Sequence, residues 1–258
     1  MKRFFLTLSL VISSMLTAEI IETAHFDEMT QYMHPETLII VDIDDTLLIP
    51  VQTLGTDVWF SSRLNHHLKT HEDYSLALDR SLGEWEAVRH LTGVKIVEEG
   101  TDTLIRDMQS NHVVVMGLTT QGLALATRTI IQLNSLGINL SVTAPAKEDH
   151  YFINGPHGVL YREGILFTSG TAKGQALLKL LDLLDYHPKR VVFINDKKTH
   201  LQDLEKGVLS RGIDFIGLRY SYSDERVANY SQEIADVQWS HSNFGHILSD
   251  QEAVLLVK

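Results

Sequence analysis

Three apolar runs of one design recur along the chain. Each is rich in β-branched residues and ends abruptly in oxygen-bearing side chains. Residues 38–41 run into Asp42, Asp44 and Thr46, residues 113–118 into Thr119, and residues 191–194 into Asn195 and Asp196. An unbroken apolar run, without polar alternation, marks a strand buried on both faces. Ligands of open α/β sheets bind beyond the carboxyl ends of such strands. If the three strands are parallel neighbours, Asp42, Asp44, Thr119 and Asp196 meet at one sheet edge.

Helical spacing fills the intervals. Between residues 56 and 90 the apolar positions Val58, Trp59, Leu64, Leu68, Leu76, Leu78, Leu82, Trp85 and Val88 recur at helical intervals, which predicts a helical insertion between the first two core strands. Further helices are predicted from Thr101 through Met108, over 122–136 with a stop at Gly137, over 174–184, and over 199–209. Residues 19–32 read as an amphipathic helix broken at His34-Pro35, residues 138–142 as a strand, and residues 215–218 as the last strand. Gly155-Pro156 and Glu163-Gly164 punctuate a hairpin between 154 and 169. The alternation of strand and helix predicts an α/β fold, a doubly wound parallel sheet with a helical cap inserted after the first core strand. The expected division is a leader over 1–18, a core over 19–50 and 94–258, and a cap over 51–93.

The leader rests on Lys2 and Arg3 followed by an apolar run to Leu16 and a small-residue end at Ala18. That is the layout of a secretory signal peptide, and the run is short for a membrane span. It implies a periplasmic or secreted protein without a stable membrane span once the leader is removed. A length of 258 residues suffices for one α/β domain plus an insertion. A formal charge of −11 argues against nucleic acid as a partner. The absence of cysteine excludes disulfides, thiolate metal sites and a cysteine nucleophile. Neither the oligomeric state nor the identity of a substrate follows from the sequence.

Two carboxylates spaced by two at a strand end can share a divalent cation, one through its side chain and one through its main-chain carbonyl. Mg²⁺ takes such oxygen ligands and keeps waters for a phosphate. A carboxylate can attack phosphorus, and a second can protonate the leaving oxygen and then activate water. A hydroxyl at Thr119 suits a phosphoryl oxygen, Lys173 at a helix start suits its charge, and Asp196 suits the cation. Each residue alone has an ordinary explanation, as an N-cap or a solvated surface group. The four together, in order and at strand and helix ends, do not.

On these residues the chain resembles the haloacid dehalogenase-like (HAD) superfamily of hydrolases. The segment VDIDDTLL at 41–48 matches the first superfamily motif, and Thr119, Lys173 and Asp196 match the second, third and fourth. The segments HLTGVKIVEEG, LTTQ at 118–121 and YREGILFTSGTAKG at 161–174 resemble an uncharacterised exported HAD-like family, a domain of unknown function of host-associated bacteria. The resemblance implies Asp42 as nucleophile and metal ligand. It implies Asp44 as general acid/base that ligates metal through its carbonyl. Thr119 and Lys173 would be phosphate-binding, and Asp196 would complete a Mg²⁺ site. An acid at position 44 favours phosphoryl transfer over dehalogenation. The implied activity is a Mg²⁺-dependent phosphatase acting on a small phosphomonoester through an aspartyl phosphate.

Three positions depart from the superfamily pattern: Asn195 before the metal-binding acid, His200 four residues beyond it, and Gln121 where a basic side chain is common. They motivate the alternative of a catalytically weak HAD-like fold serving as a protein-binding module at the envelope or host interface. Among 13 histidines, His67 and His71 lie one helical turn apart, and a solvated cap face accounts for them. Trp59 and Trp85 read as core. Arg63, Arg89 and Arg162 could touch a substrate phosphate or carboxylate from the cap or hairpin, and ordinary surface placement is the expectation for each.

Overall fold

The run at 38–41 is the centre of the molecule. In a computed structural model, which describes residues 17–70, 73–243 and 246–257, all of Thr37–Val41 is buried and its strand has parallel neighbours on both sides. The leader expected over 1–18 lies outside the described residues but for its last two positions.

In chain order the elements are β1 (Ala18–Thr23), a 3₁₀ segment (Phe26–Tyr32), β2 (Thr37–Val41), β3 (Leu48–Pro50), α1 (Asp57–Thr70), α2 (Tyr74–Leu91) and β4 (Val94–Ile96). There follow α3 (Thr101–Ser110), β5 (Val114–Thr119), α4 (Ala126–Ser135), β6 (His150–Asn154), β7 (His157–Arg162), β8 (Ile165–Phe167) and α5 (Lys173–Leu184). The chain closes with β9 (Arg190–Asn195), α6 (Lys198–Leu209), β10 (Asp214–Tyr220), α7 (Asp224–Ala228), α8 (Gln232–His241) and α9 (Asp250–Val254). The main sheet has the order β1-β10-β9-β2-β5-β8-β7-β6. It is parallel from β1 through β8, and β7 and β6 extend it antiparallel. The three apolar runs are thus adjacent parallel strands, as their design requires.

Alternate residues of β2 feed opposite layers. Ile39 and Val41 pack with Ile105 and Met108 of α3 and Ile130 and Leu133 of α4. Leu38 and Ile40 pack with Leu177 and Leu180 of α5 and Leu201 and Leu204 of α6. Both faces of the sheet are covered, so an apolar run is the only pattern that strand tolerates.

The antiparallel pair β3–β4 forms a two-stranded stalk, and α1 and α2 lie between its arms. Their apolar positions converge on a separate cluster, with Leu54, Trp59, Trp85 and Val88 joined by Leu125, Ala235 and Ile247. Trp59 and Trp85 are core residues, as their spacing suggests.

Two segments differ from the expectation. Residues 19–32 do not form a helix. Ala18–Thr23 is an edge strand in parallel register with Phe215–Tyr220, and the 3₁₀ segment after it buries Phe26 and Met29 at the three-residue period of that helix. Pairing with β10 outweighs a weak local helical pattern. Residues 138–142 do not form a strand either. Ile138 and Leu140 are buried, but the place beside β5 is taken by β8, where Gly117 pairs with Ile165. The chain there closes on itself, with Asn139 Oδ1 accepting from the Ser141 amide. Gly164, at φ 78°, passes so close to Leu140 that a Cβ would lie 2.3 Å from its carbonyl oxygen.

Candidate active site

Asp42 follows the last residue of β2, and its amide continues the ladder by donating to the Ile194 carbonyl at 3.1 Å. This holds the carboxylate rigidly at the carboxyl edge. Its Oδ1 accepts from Lys173 Nζ at 2.7 Å, and the same ammonium donates to the Leu118 carbonyl at 3.1 Å. Lys173 is the first residue of α5 and is 1% exposed. It reaches the site because α5 lies against α6 through glycines. A Cβ on Gly174 would stand 2.6 Å from the Asp203 carbonyl oxygen, and Gly207 faces Gly174 across the contact.

Asp44 sits on the turn after β2. Its Oδ2 accepts from Gln121 Nε2 at 2.7 Å, and Thr129 Oγ1 fixes that amide by donating to Gln121 Oε1 at 2.6 Å. Its Oδ1 lies 2.8 Å from Arg89 Nη2 of α2. That ion pair lacks hydrogen-bond angles, so Asp44 Oδ1 and the Arg89 Nε, Nη1 and Nη2 atoms are buried without a hydrogen bond. Burial pushes the Asp44 carboxyl up, against Arg89 and Gln121, with Asp57 and Asp42 adding to the rise. A shift in that direction suits a proton donor.

Thr119 ends β5, buried, with Oγ1 accepting from the Gln121 amide at 3.2 Å. Asp196 follows β9. Burial pushes it up to about 8; Lys197 opposes this, and Asp42, Asp57 and Asp45 reinforce it. Its Oδ1 is buried without a hydrogen bond. Asp45, at φ 55°, is pushed up to about 7 by burial and by Asp57 and Asp44, against Lys197 and Arg226. Asp57 opens α1 and pairs with Lys197. Burial disfavours its charge, but Lys197, then Arg89 and His200, hold its carboxyl below the usual range.

The structure therefore gathers Asp42, Asp44, Thr119, Lys173 and Asp196 at one edge, and adds Arg89, Asp57 and Lys197. Arg89 is the clearest departure from expectation. It is 1% exposed, not a surface residue. A charge one turn beyond Trp85, on the apolar face that Trp85 and Val88 define, is the signal that marks it. Its guanidinium lies 5.3 Å from the Trp85 ring centroid, a cation–π contact. Arg63 and Arg162 have local partners, Glu84 and Asp149, each at 2.6 Å. His67 is not on a solvated face; it is buried, with Nε2 3.1 Å from Glu84 Oε1, and His71 lies outside the described residues.

The three departures have structural roles. Asn195 Oδ1 accepts from the Lys197 amide at 2.6 Å, and its Nδ2 lies 3.4 Å from His200 Nδ1. Burial, then Lys173, pushes His200 down to about 4, so it adds no charge near neutral pH. Asp203 Oδ2 accepts from the Gly174 amide at 3.0 Å, satisfying a first-turn donor of α5. Gln121 brings no charge but positions Asp44.

A divalent cation fits these residues. Asp196 Oδ1 is a buried carboxylate oxygen with no partner, and Asp42 ends the neighbouring strand. Among the described residues no three His, Asp or Glu side chains form a metal-binding group. The expected donor set has two carboxylates and one main-chain carbonyl, so that observation does not bear against it. Among the described residues no helix is long and apolar enough to cross a membrane.

The family model described as "Protein of unknown function (DUF2608)" matches residues 22–254. A Chlamydia pneumoniae protein named "Putative outer membrane protein" is 26% identical over 220 residues, covering 85% of this chain and 82% of its own. A Rickettsia prowazekii protein named "Uncharacterized protein" is 24% identical over 271 residues, covering 97% of this chain and 95% of its own. Among solved structures, a haloacid dehalogenase-like family hydrolase of Streptococcus pneumoniae aligns at TM-score 0.44 and 14% identity, over 76% of this chain and 98% of that one.

Proposed function

The chain belongs to the DUF2608 family, and on that premise we propose that it is a Mg²⁺-dependent phosphatase of small phosphomonoesters. One observation carries the reading. Two carboxylates of a single turn differ in environment: Asp42 accepts from a buried ammonium, while Asp44, largely buried, accepts from a side-chain amide, and its carboxyl is pushed up by burial despite the Arg89 guanidinium beside it. Pairs so divided supply a nucleophile and an acid from the same residue type.

Asp42 attacks phosphorus and forms an aspartyl phosphate as the ester bond breaks. Asp44 gives its proton to the departing alkoxide oxygen. Asp44, now ionised, takes a proton from water as that water attacks the phosphoaspartate. Asp42 and inorganic phosphate are released. Lys173 and the Thr119 hydroxyl hold the phosphoryl oxygens in line, and fixed charge provides most of the stabilisation. The carboxylates of Asp42 and Asp196 and the Asp44 carbonyl would hold Mg²⁺, which would supply positive charge to the phosphoryl group when bound. Residues 51–93 act as the cap: α1 and α2 bring Asp57 and Arg89 over the strand ends and exclude bulk water. Export to the periplasm or beyond rests on the leader pattern at 1–18, and the printed names of the chlamydial relatives agree with a place at the envelope.

Hydrolysis of p-nitrophenyl phosphate by the leader-free protein, with and without Mg²⁺, tests the reading. Activity should require the metal and vanish in Asp42→Asn. Equal rates in the two proteins would refute it.

A further inference from the structure

We propose that Arg89 is the receptor for a second anionic group of the substrate, one carried by the leaving group close to the ester oxygen. In the free protein Asp44 occupies that receptor. The inference rests on the phosphatase reading and names the class of substrate it serves.

The guanidinium is incompletely used. It is 1% exposed, and none of its nitrogens makes a hydrogen bond. Buried N–H donors without acceptors are costly, and a guanidinium fork is built for a carboxylate or phosphate that accepts two parallel bonds. Asp44 supplies charge at 2.8 Å but not that geometry. The other oxygen of that carboxylate is already tied to Gln121 Nε2.

Position then assigns the ligand. Two buried cations flank the turn at 42–44, one per carboxylate. Lys173 is on Asp42, where phosphorus is attacked, so it belongs to the phosphoryl group. Arg89 is on Asp44, which protonates the leaving oxygen, so it belongs to the leaving group. One side of Arg89 is apolar: the Trp85 ring lies beside the guanidinium, and Trp85 belongs to a cluster with Leu54, Trp59 and Val88. That side offers little to a polyhydroxylated leaving group, Asp44 and Asp57 stand on the other, and a short leaving group ending in an anion suits the space between. The substrate class is therefore a small phosphorylated acid, or a short bisphosphate.

Selectivity follows from the exchange. An anion that fills the fork releases Asp44 Oδ1 from Arg89 and leaves Asp44 on Gln121, free to serve the ester oxygen. A neutral leaving group leaves Asp44 engaged by Arg89. If Arg89 served only to neutralise the surrounding carboxylates, charged and neutral leaving groups would suffer alike from its loss.

The test compares kcat/KM for 2-phosphoglycolate, ethane-1,2-diol bisphosphate and the neutral analogue 2-hydroxyethyl phosphate. The proteins are the wild type, Arg89→Lys and Arg89→Met, all with Mg²⁺. The wild type should favour an anionic substrate by about tenfold to a hundredfold, the worth of charge-assisted hydrogen bonds. The two anionic substrates separate carboxylate from phosphate. Arg89→Met should bring the ratio near unity, and Arg89→Lys should keep part of it. No wild-type preference, or a ratio unchanged in Arg89→Met, would overturn the proposal. A readout free of turnover separates it from the reading it rests on: millimolar 2-phosphoglycolate should raise the melting temperature of the wild type more than that of Arg89→Met. Loss of turnover with that difference intact refutes the phosphatase alone. Turnover with an unchanged ratio, or no difference in melting shift, refutes the receptor.

Discussion

Replacing Gly174 by alanine should injure both stability and turnover, through one displaced helix. The new Cβ would stand 2.6 Å from the Asp203 carbonyl oxygen, where ordinary contact begins at 3.4 Å. The obstacle is backbone, so α5 and α6 must separate by several tenths of an ångström. Overpacking of this kind costs about 1–3 kcal/mol. Alanine returns up to about 1 kcal/mol through helix propensity. The net loss is about 0–3 kcal/mol, which at this chain length lowers the melting temperature by up to roughly 12 °C. Lys173 is the adjacent residue, and its ammonium is held to Asp42 at 2.7 Å. A displacement approaching 1 Å at a positioning residue costs as much as about a hundredfold in rate. Thermal denaturation and p-nitrophenyl phosphate hydrolysis read the two effects. The matched control is Gly83→Ala on α2, where a Cβ meets nothing within 4 Å and the same propensity gain goes unopposed. That variant should gain about 0.5–1 kcal/mol. Gly174→Ala with wild-type stability and rate would show that the α5–α6 approach does not set the position of Lys173.

Three further outcomes follow from the site and its supports. Mg²⁺ at a hundredfold excess over its Kd should stabilise the protein by about 2.7 kcal/mol, and Asp196→Asn should lose most of that gain in a thermal shift assay; an undiminished shift would place the cation elsewhere. Asp44→Asn keeps the size of the group but removes the proton donor, and kcat for an alkyl phosphate should fall by about 10²–10⁴; a smaller effect would assign the proton to another residue. His25 Nδ1 contacts Glu98 at 2.8 Å, and first that hydrogen bond, then the charge of Glu98, raises the imidazole above 6.5. The contact therefore stabilises the fold below pH 6.5 and its contribution is lost as pH climbs through the raised value. An NMR titration should show His25 falling back towards 6.5 in Glu98→Gln, and an unshifted titration would deny the pair in solution.

The motif residues were legible because their signals are local. An apolar run of strand length must be buried on both faces, and a doubly wound sheet presents the ends of such runs together. Asp42, Asp44, Thr119 and Asp196 could therefore be gathered at one edge from sequence order alone, and Lys173 from its place at a helix start. The helices of the insertion were legible from period, and so was the core status of Trp59 and Trp85. What needed the tertiary structure was every choice of distant partner. Residues 18–23 became a strand because β10 offered an unpaired edge, and residues 138–142 did not because β8 had taken the edge of β5. Arg89 became part of the site because the stalk β3–β4 returns α2 over the strand ends, 45 positions after Asp44. Gln121 and Asp203 look alike in sequence as polar neighbours of motif residues, yet one holds Asp44 and the other a helix amide. Periodicity fixes which face of an element is buried. It is silent on what that face meets, because the free energy of a pair such as Arg89 and Asp44 depends on the burial and distance that only the assembled fold creates.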